Sequence, residues 1–138
     1  MEGDIMKVEN LIEYFTKELK ENQKNIKKSI EKLDSSEAKD EAIHEKVRLN
    51  IYEIFETLFN TSIKKVYGLH LSEDEVLYES LSKTYLEFFT RIPASWRINY
   101  EKAKANGDAY NLFLEELKLD TAEKIKDNFT KLYTSQTL

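Results

Sequence analysis

The sequence predicts an all-α protein, an antiparallel helical bundle built on a long N-terminal helical hairpin with a third helix and two or three shorter C-terminal helices. Three observations carry that reading. Only three glycines and one proline punctuate 138 residues, too few for a sheet protein that needs a tight turn roughly every ten residues. Apolar residues recur at spacings of three and four, the period of one helical face. The breaks between these stretches carry helix-capping residues. A chain of this length fits one domain, residues 1–138, with a substantial core.

The first helix is expected over residues 4–33, its face formed by Ile5, Val8, Leu11, Ile12, Phe15, Leu19, Ile26, Ile30 and Leu33. Between Leu19 and Ile26 the polar run Asn22-Gln23-Lys24-Asn25 stands where another apolar knob is due. Asp34-Ser35-Ser36 offers side chains that compete for backbone hydrogen bonds, so the chain is expected to reverse there. The second helix carries Ala38, Ala42, Ile43, Val47, Ile51, Ile54, Phe55, Leu58, Phe59, Ile63 and Val66, and reaches Gly68, the residue best able to take a left-handed cap. From Ile51 onward two apolar stripes adjoin, whereas Glu37 to Lys46 has one thin stripe. The latter half of this helix is thus the expected core, and the hairpin tip is under-covered.

Ser72-Glu73-Asp74-Glu75 reads as a capping box opening a third helix. Its face includes Val76, Leu77, Leu81, Tyr85, Phe88 and Phe89, and it is expected to end near Arg91, because Pro93 disfavours helical torsions at Ile92. Pro93 suits the first turn of a fourth helix that presents Trp96, Tyr100 and Ala103 and stops at Asn106-Gly107, a left-handed end. Asp108 caps a short helix from Ala109 to about Lys118 with Tyr110, Phe113, Leu114 and Leu117 on its face. Asp120-Thr121-Ala122-Glu123 resembles another capping box, opening a last helix with Ile125, Phe129, Leu132 and Tyr133.

Composition narrows the chemistry. With no cysteine, thiolate metal sites, disulfides and cysteine nucleophiles are excluded by inventory, and a reducing, cytoplasmic setting fits. The opening residues carry Glu2, Asp4 and Glu9 where a secretory leader needs a basic start and an apolar stretch. No apolar run approaches the roughly 20 residues needed to span a bilayer, so no membrane partner is expected. The net charge of -5 disfavours nucleic acid, whose binding rests on clustered Lys and Arg. Abundant Lys, Ile and Asn suit an AT-rich bacterial gene.

Motifs for catalysis are sparse. Glu41 and His44 have the Glu-x-x-His spacing of di-iron bundles, but the second histidine, His70, lacks the matching Glu, so no metal is expected. Gly3, Gly68 and Gly107 are isolated, which rules out glycine-rich phosphate loops. Neither histidine lies in a nucleophile turn, and no cofactor or enzyme activity is expected. Lys17, Lys20, Lys24, Lys27 and Lys28 form a basic stripe opposite the first helix's apolar face, diluted by Glu18, Glu21 and Glu31. It reads as a solvated outer face.

Two places remain for function. A thin stripe of Ile26, Ile30, Leu33, Ile43 and Val47 at the hairpin tip calls for a partner, most simply a second copy, giving a homodimer, or another protein. The leading expectation is therefore a non-enzymatic binding or regulatory module. The alternative is a small-molecule site at the helix break, where Arg91, Trp96 and Arg97 meet Phe88, Phe89 and Tyr100 to form an aromatic wall with an arginine at its mouth. In its plainer form that corner is core, sealed by Trp96.

Overall fold

The computed structural model describes residues 7–135; Ile5 and the predicted start at residue 4 lie outside them. Five helices follow one another: α1 (Val8–Ser35), α2 (Lys39–Tyr67), α3 (Asp74–Arg91), α4 (Ala94–Ala105) and α5 (Ala109–Thr134). The architecture is an antiparallel helical bundle on a long N-terminal hairpin. Two bounds differ in kind from the sequence expectation. Lys7 is extended and α1 begins at Val8. The predicted break at Asp120-Thr121-Ala122-Glu123 is absent, so α5 runs unbroken for 26 residues and is longer than α3. Thr121 does not cap anything; its hydroxyl donates to the Leu117 carbonyl one turn back, at 2.7 Å, inside the fold.

The α1–α2 reversal is set by backbone bonds. Glu37 stands at φ 62°, the Ala38 N–H donates to the Leu33 carbonyl and the Glu37 N–H to Asp34, the pattern of a left-handed helix end. Ser35 and Ser36 bond back to Lys32 and Leu33 carbonyls; neither caps α2. Asn106-Gly107 repeats the motif as the sequence predicts: Gly107 has φ 66°, and Asp108 N–H donates to Ala103. Gly68, by contrast, is right-handed. The chain turns once more through three-residue bonds at Leu69 and His70, and His70 takes the positive φ of 55°. Ile92 keeps helical torsions despite preceding Pro93; α3 still ends at Arg91 because proline has no N–H to continue the ladder.

Ring contacts fix the helix directions. Phe15 of α1, Phe59 of α2, Tyr85 of α3 and Phe129 of α5 form one edge-to-face cluster, with centroids 4.9 Å apart for Phe15–Phe59 and 5.0 Å for both Phe15–Phe129 and Tyr85–Phe129. All four rings are buried. His44 lies against Phe113 and Phe59 against Phe129, the same offset to within a residue, so α2 and α5 run parallel. Phe55 stacks on Phe89 while Tyr85 touches Phe59, which makes α3 antiparallel to α2. Four helices thus surround the ring cluster, and α4 packs back along α5.

Hydroxyls tie the frame together. Tyr85 donates to the Phe55 carbonyl at 3.0 Å, and Tyr78 donates to the Tyr133 carbonyl at 2.9 Å. The latter half of α2 is densely buried, as the sequence predicts: Ile51, Tyr52, Phe55, Phe59, Ser62 and Val66 all lie inside. The missing knob on α1 is filled by Gln23, only 7% exposed. The capping box expected at Ser72 does not form; α3 has no side-chain cap of its own. Asp74 instead accepts the Val8 N–H at the start of α1.

Candidate functional site

Large apolar side chains stand exposed in two regions: Tyr14, Tyr67, Leu69 and Val76 toward the end where α1 and α3 begin, and Ile43, Tyr110 and Phe113 at the hairpin tip. Because α5 runs parallel to α2, its first turns lie along the first turns of α2, and the predicted under-coverage is met on that side. Ala42 is buried, and His44 packs its ring 4.7 Å from Phe113. The cover is incomplete: Ile43, Tyr110 and Phe113 remain 42%, 60% and 45% exposed. Tyr110 precedes Phe113 by three residues and so shares its face. Tyr110, Phe113, Leu114 and Leu117 form the helix face predicted from spacing, but only its later part is covered: Leu117 is buried and Leu114 half-buried, while Tyr110 and Phe113 stay exposed.

The interface residues expected from sequence divide accordingly. Ile26 packs against the core cluster, Ile30, Leu33 and Val47 are half-buried, and Ile43 is exposed. Asp40 and Glu41 stand in the first turn of α2, and Lys102 and Lys104 in the last turn of α4, next to the turn that opens α5. Asp108 in that turn accepts both the side-chain and backbone N–H of Asn111, and these bonds hold its carboxyl below the usual range.

Deeper in, α1 and α5 touch where Phe15 meets Phe129. Nearer the tip a cleft of about 520 Å³ lies between α1, α2 and α5. Tyr52, Thr121 and Leu117, all buried, stand with half-buried Ile26 in its lining. Asn22 and Asn25 line it from α1, Glu45 and Arg48 from α2, and Asp120 and Lys124 from α5. Arg48 is paired with Glu45, and the Asn22 amide donates to the Glu18 carbonyl. Burial pushes the Tyr52 phenol up, Glu18 adds to the rise and Arg48 opposes it, so the hydroxyl keeps its proton at neutral pH. Burial also raises the Glu18 carboxyl, with Lys131 pulling the other way. No spacing rule points to this cleft, because its groups come from three helices distant in sequence.

At the helix break, the structure brings Arg91 over the ring of Phe88, 5.0 Å from its centroid, which is cation–π geometry. Phe89 is buried and stacks on Phe55. Trp96 and Phe88 are partly buried against the core, Tyr100 is half-buried, and Arg97 is exposed. On the outer face of α1, Lys17, Lys20, Lys24, Lys27 and Lys28 are exposed, and Lys20 pairs with Glu56 at 3.1 Å. Glu41 is exposed, and among the described residues no group of three or more His, Asp or Glu side chains is arranged to hold a metal ion. Among the same residues no helix is long and apolar enough to cross a membrane. No family model, curated protein or solved structure matches the chain.

Proposed function

We propose that the chain is a non-enzymatic, cytoplasmic binding module that pairs with a second copy of itself through the apolar surface at the hairpin-tip end. The observation that carries this reading is the exposed patch of Ile43, Tyr110 and Phe113, assembled from two helices and held in place by the His44–Phe113 contact. Large apolar side chains gathered in this way are where an interface core forms, with aromatic residues as its anchors. A two-fold contact requires one surface that complements itself. Charges of both signs stand on the elements that carry the patch or lead into it, Asp40 and Glu41 in the first turn of α2 and Lys102 and Lys104 in the last turn of α4, and acidic groups of one copy would pair with basic groups of the other.

Sedimentation equilibrium over a wide concentration range tests the reading. The wild-type chain is expected to show a monomer–dimer equilibrium, and Phe113→Ser, which exchanges a half-exposed ring for a small polar group, to shift it at least roughly tenfold toward monomer. A wild-type chain that stays monomeric at every concentration overturns it.

A further inference from the structure

We propose that the cleft between α1, α2 and α5 is a binding site for a small zwitterion with an apolar body, the chemistry of a free amino acid with an aliphatic or aromatic side chain. This goes beyond pairing of the chain with itself and rests on different residues. Its volume of about 520 Å³ falls in the range of small-molecule pockets, roughly 300–1,000 Å³. Three helices contribute to its wall, so the site exists only in the folded chain.

The charge pattern selects the ligand class. The lining holds two cations, Arg48 and Lys124, and two anions, Glu45 and Asp120. A cleft with no net charge does not concentrate polyanions or polycations, and the chain's own net charge of -5 opposes phosphate-rich ligands further. Arg48 and Glu45 already pair, yet a guanidinium has five N–H donors and one pair leaves others to give. Asp120 and Lys124 make no ion pair with each other or with any other described residue. They stand one turn apart on α5, so a ligand carboxylate can meet Lys124 and Arg48 while its ammonium meets Asp120. Charge-assisted bonds of this kind are the strong ones.

The neutral groups fit the same ligand. Ile26 and Leu117 provide apolar contact for a side chain. The protonated Tyr52 hydroxyl and the Asn25 amide can donate to the carboxylate. Thr121, whose hydroxyl proton is committed to the Leu117 carbonyl, can only accept.

Titration followed by amide NMR of the whole chain tests the proposal with four named probes: L-phenylalanine, 3-phenylpropionate, phenethylamine and inorganic phosphate. L-Phenylalanine is expected to give saturable shifts at the amides of Asn25, Arg48, Thr121 and Lys124, with a dissociation constant on the order of 1 mM or tighter. The two half-ligands, each lacking one charge, are expected to bind at least roughly tenfold more weakly, and phosphate not to saturate. Asp120→Asn and Lys124→Gln, both at exposed rim positions that leave the core intact, are expected to weaken L-phenylalanine to a similar degree. The proposal is overturned if L-phenylalanine gives no saturable shifts, if 3-phenylpropionate, phenethylamine or phosphate binds as well as the zwitterion, or if both rim variants, shown folded by their spectra, bind like the wild type.

Discussion

The Asp74 carboxylate, on the first residue of α3, accepts the backbone N–H of Val8, the first residue of α1, through both oxygens at 3.3 and 3.2 Å. The two helices run in the same direction, so their positive ends lie side by side and one carboxylate serves both. It satisfies an orphan donor of α1 and stands in the first turn of α3. Asp74→Ala is expected to lose roughly 0.5–2 kcal/mol of stability in urea unfolding, the range for a lost N-cap. Glu75→Gln, on the same turn without that bond, serves as the control and is expected to lose less.

The ring cluster at the centre sets the largest single loss. Phe129 is fully buried and touches Phe15, Phe59 and Tyr85, so Phe129→Ala removes contacts from all four core helices at once. Unfolding free energy is expected to fall by about 3–5 kcal/mol. A loss below about 1 kcal/mol in the same measurement would mean that the rings do not meet as described.

Tyr78 makes stability fall in alkali. Burial, reinforced by Tyr133, pushes its phenol up to about 12, while the unfolded chain releases that proton near the ordinary value of about 10. Between these values the folded state holds more protons than the unfolded one, so stability declines as pH rises from about 10 through about 12. Below that window the contribution is constant. Tyr78→Phe is expected to flatten this decline, at a cost of roughly 0.5–1.5 kcal/mol at neutral pH for the lost bond to the Tyr133 carbonyl. Denaturant midpoints measured near neutral pH and again inside that alkaline window separate the two effects.

Two positions are set against stability. Glu37 holds a left-handed backbone at φ 62°, which disfavours any residue with a Cβ by about 1–2 kcal/mol. Glu37→Gly is therefore expected to raise the thermal midpoint. Gln23 buries a side-chain nitrogen with no hydrogen-bond partner, and an unmet donor of that kind costs about 1–3 kcal/mol. Gln23→Met keeps the shape without the donor and is expected to stabilise the fold; a lower midpoint for it would show that the amide is engaged.

Much of the fold was legible because local periodicity and local caps agree with it. The spacing of Phe15, Phe59, Tyr85 and Phe129 places each on the inner face of its helix, and Asn106-Gly107-Asp108 ends one helix and caps the next by bonds within a few residues. What sequence missed is non-local or ambiguous. Asp74 looks like part of its own helix's capping box, yet its partner is Val8, 66 positions away. Asp120-Thr121-Ala122-Glu123 has the composition of a capping box, but the Thr121 hydroxyl within it bonds to the preceding turn in buried surroundings, and α5 runs straight through. Periodicity also tells which residues share a face, not whether another helix covers it. Tyr110 and Phe113 therefore read as core and stand exposed, while the cleft lined by Tyr52, Arg48 and Lys124 has no sequence signature.

The proposed pairing through the tip is read most directly from the distance between spin labels on two copies of the chain. The chain has no cysteine, so one introduced thiol gives one label per copy. Tyr110 sits in the exposed tip patch, and Tyr14, 50% exposed, sits toward the opposite end of α1. Electron–electron dipolar spectroscopy is expected to give a well-defined intermolecular distance for Tyr110→Cys that is shorter than the one for Tyr14→Cys. No intermolecular coupling at either position, or a shorter distance at Tyr14→Cys, would show that the copies do not pair through the tip.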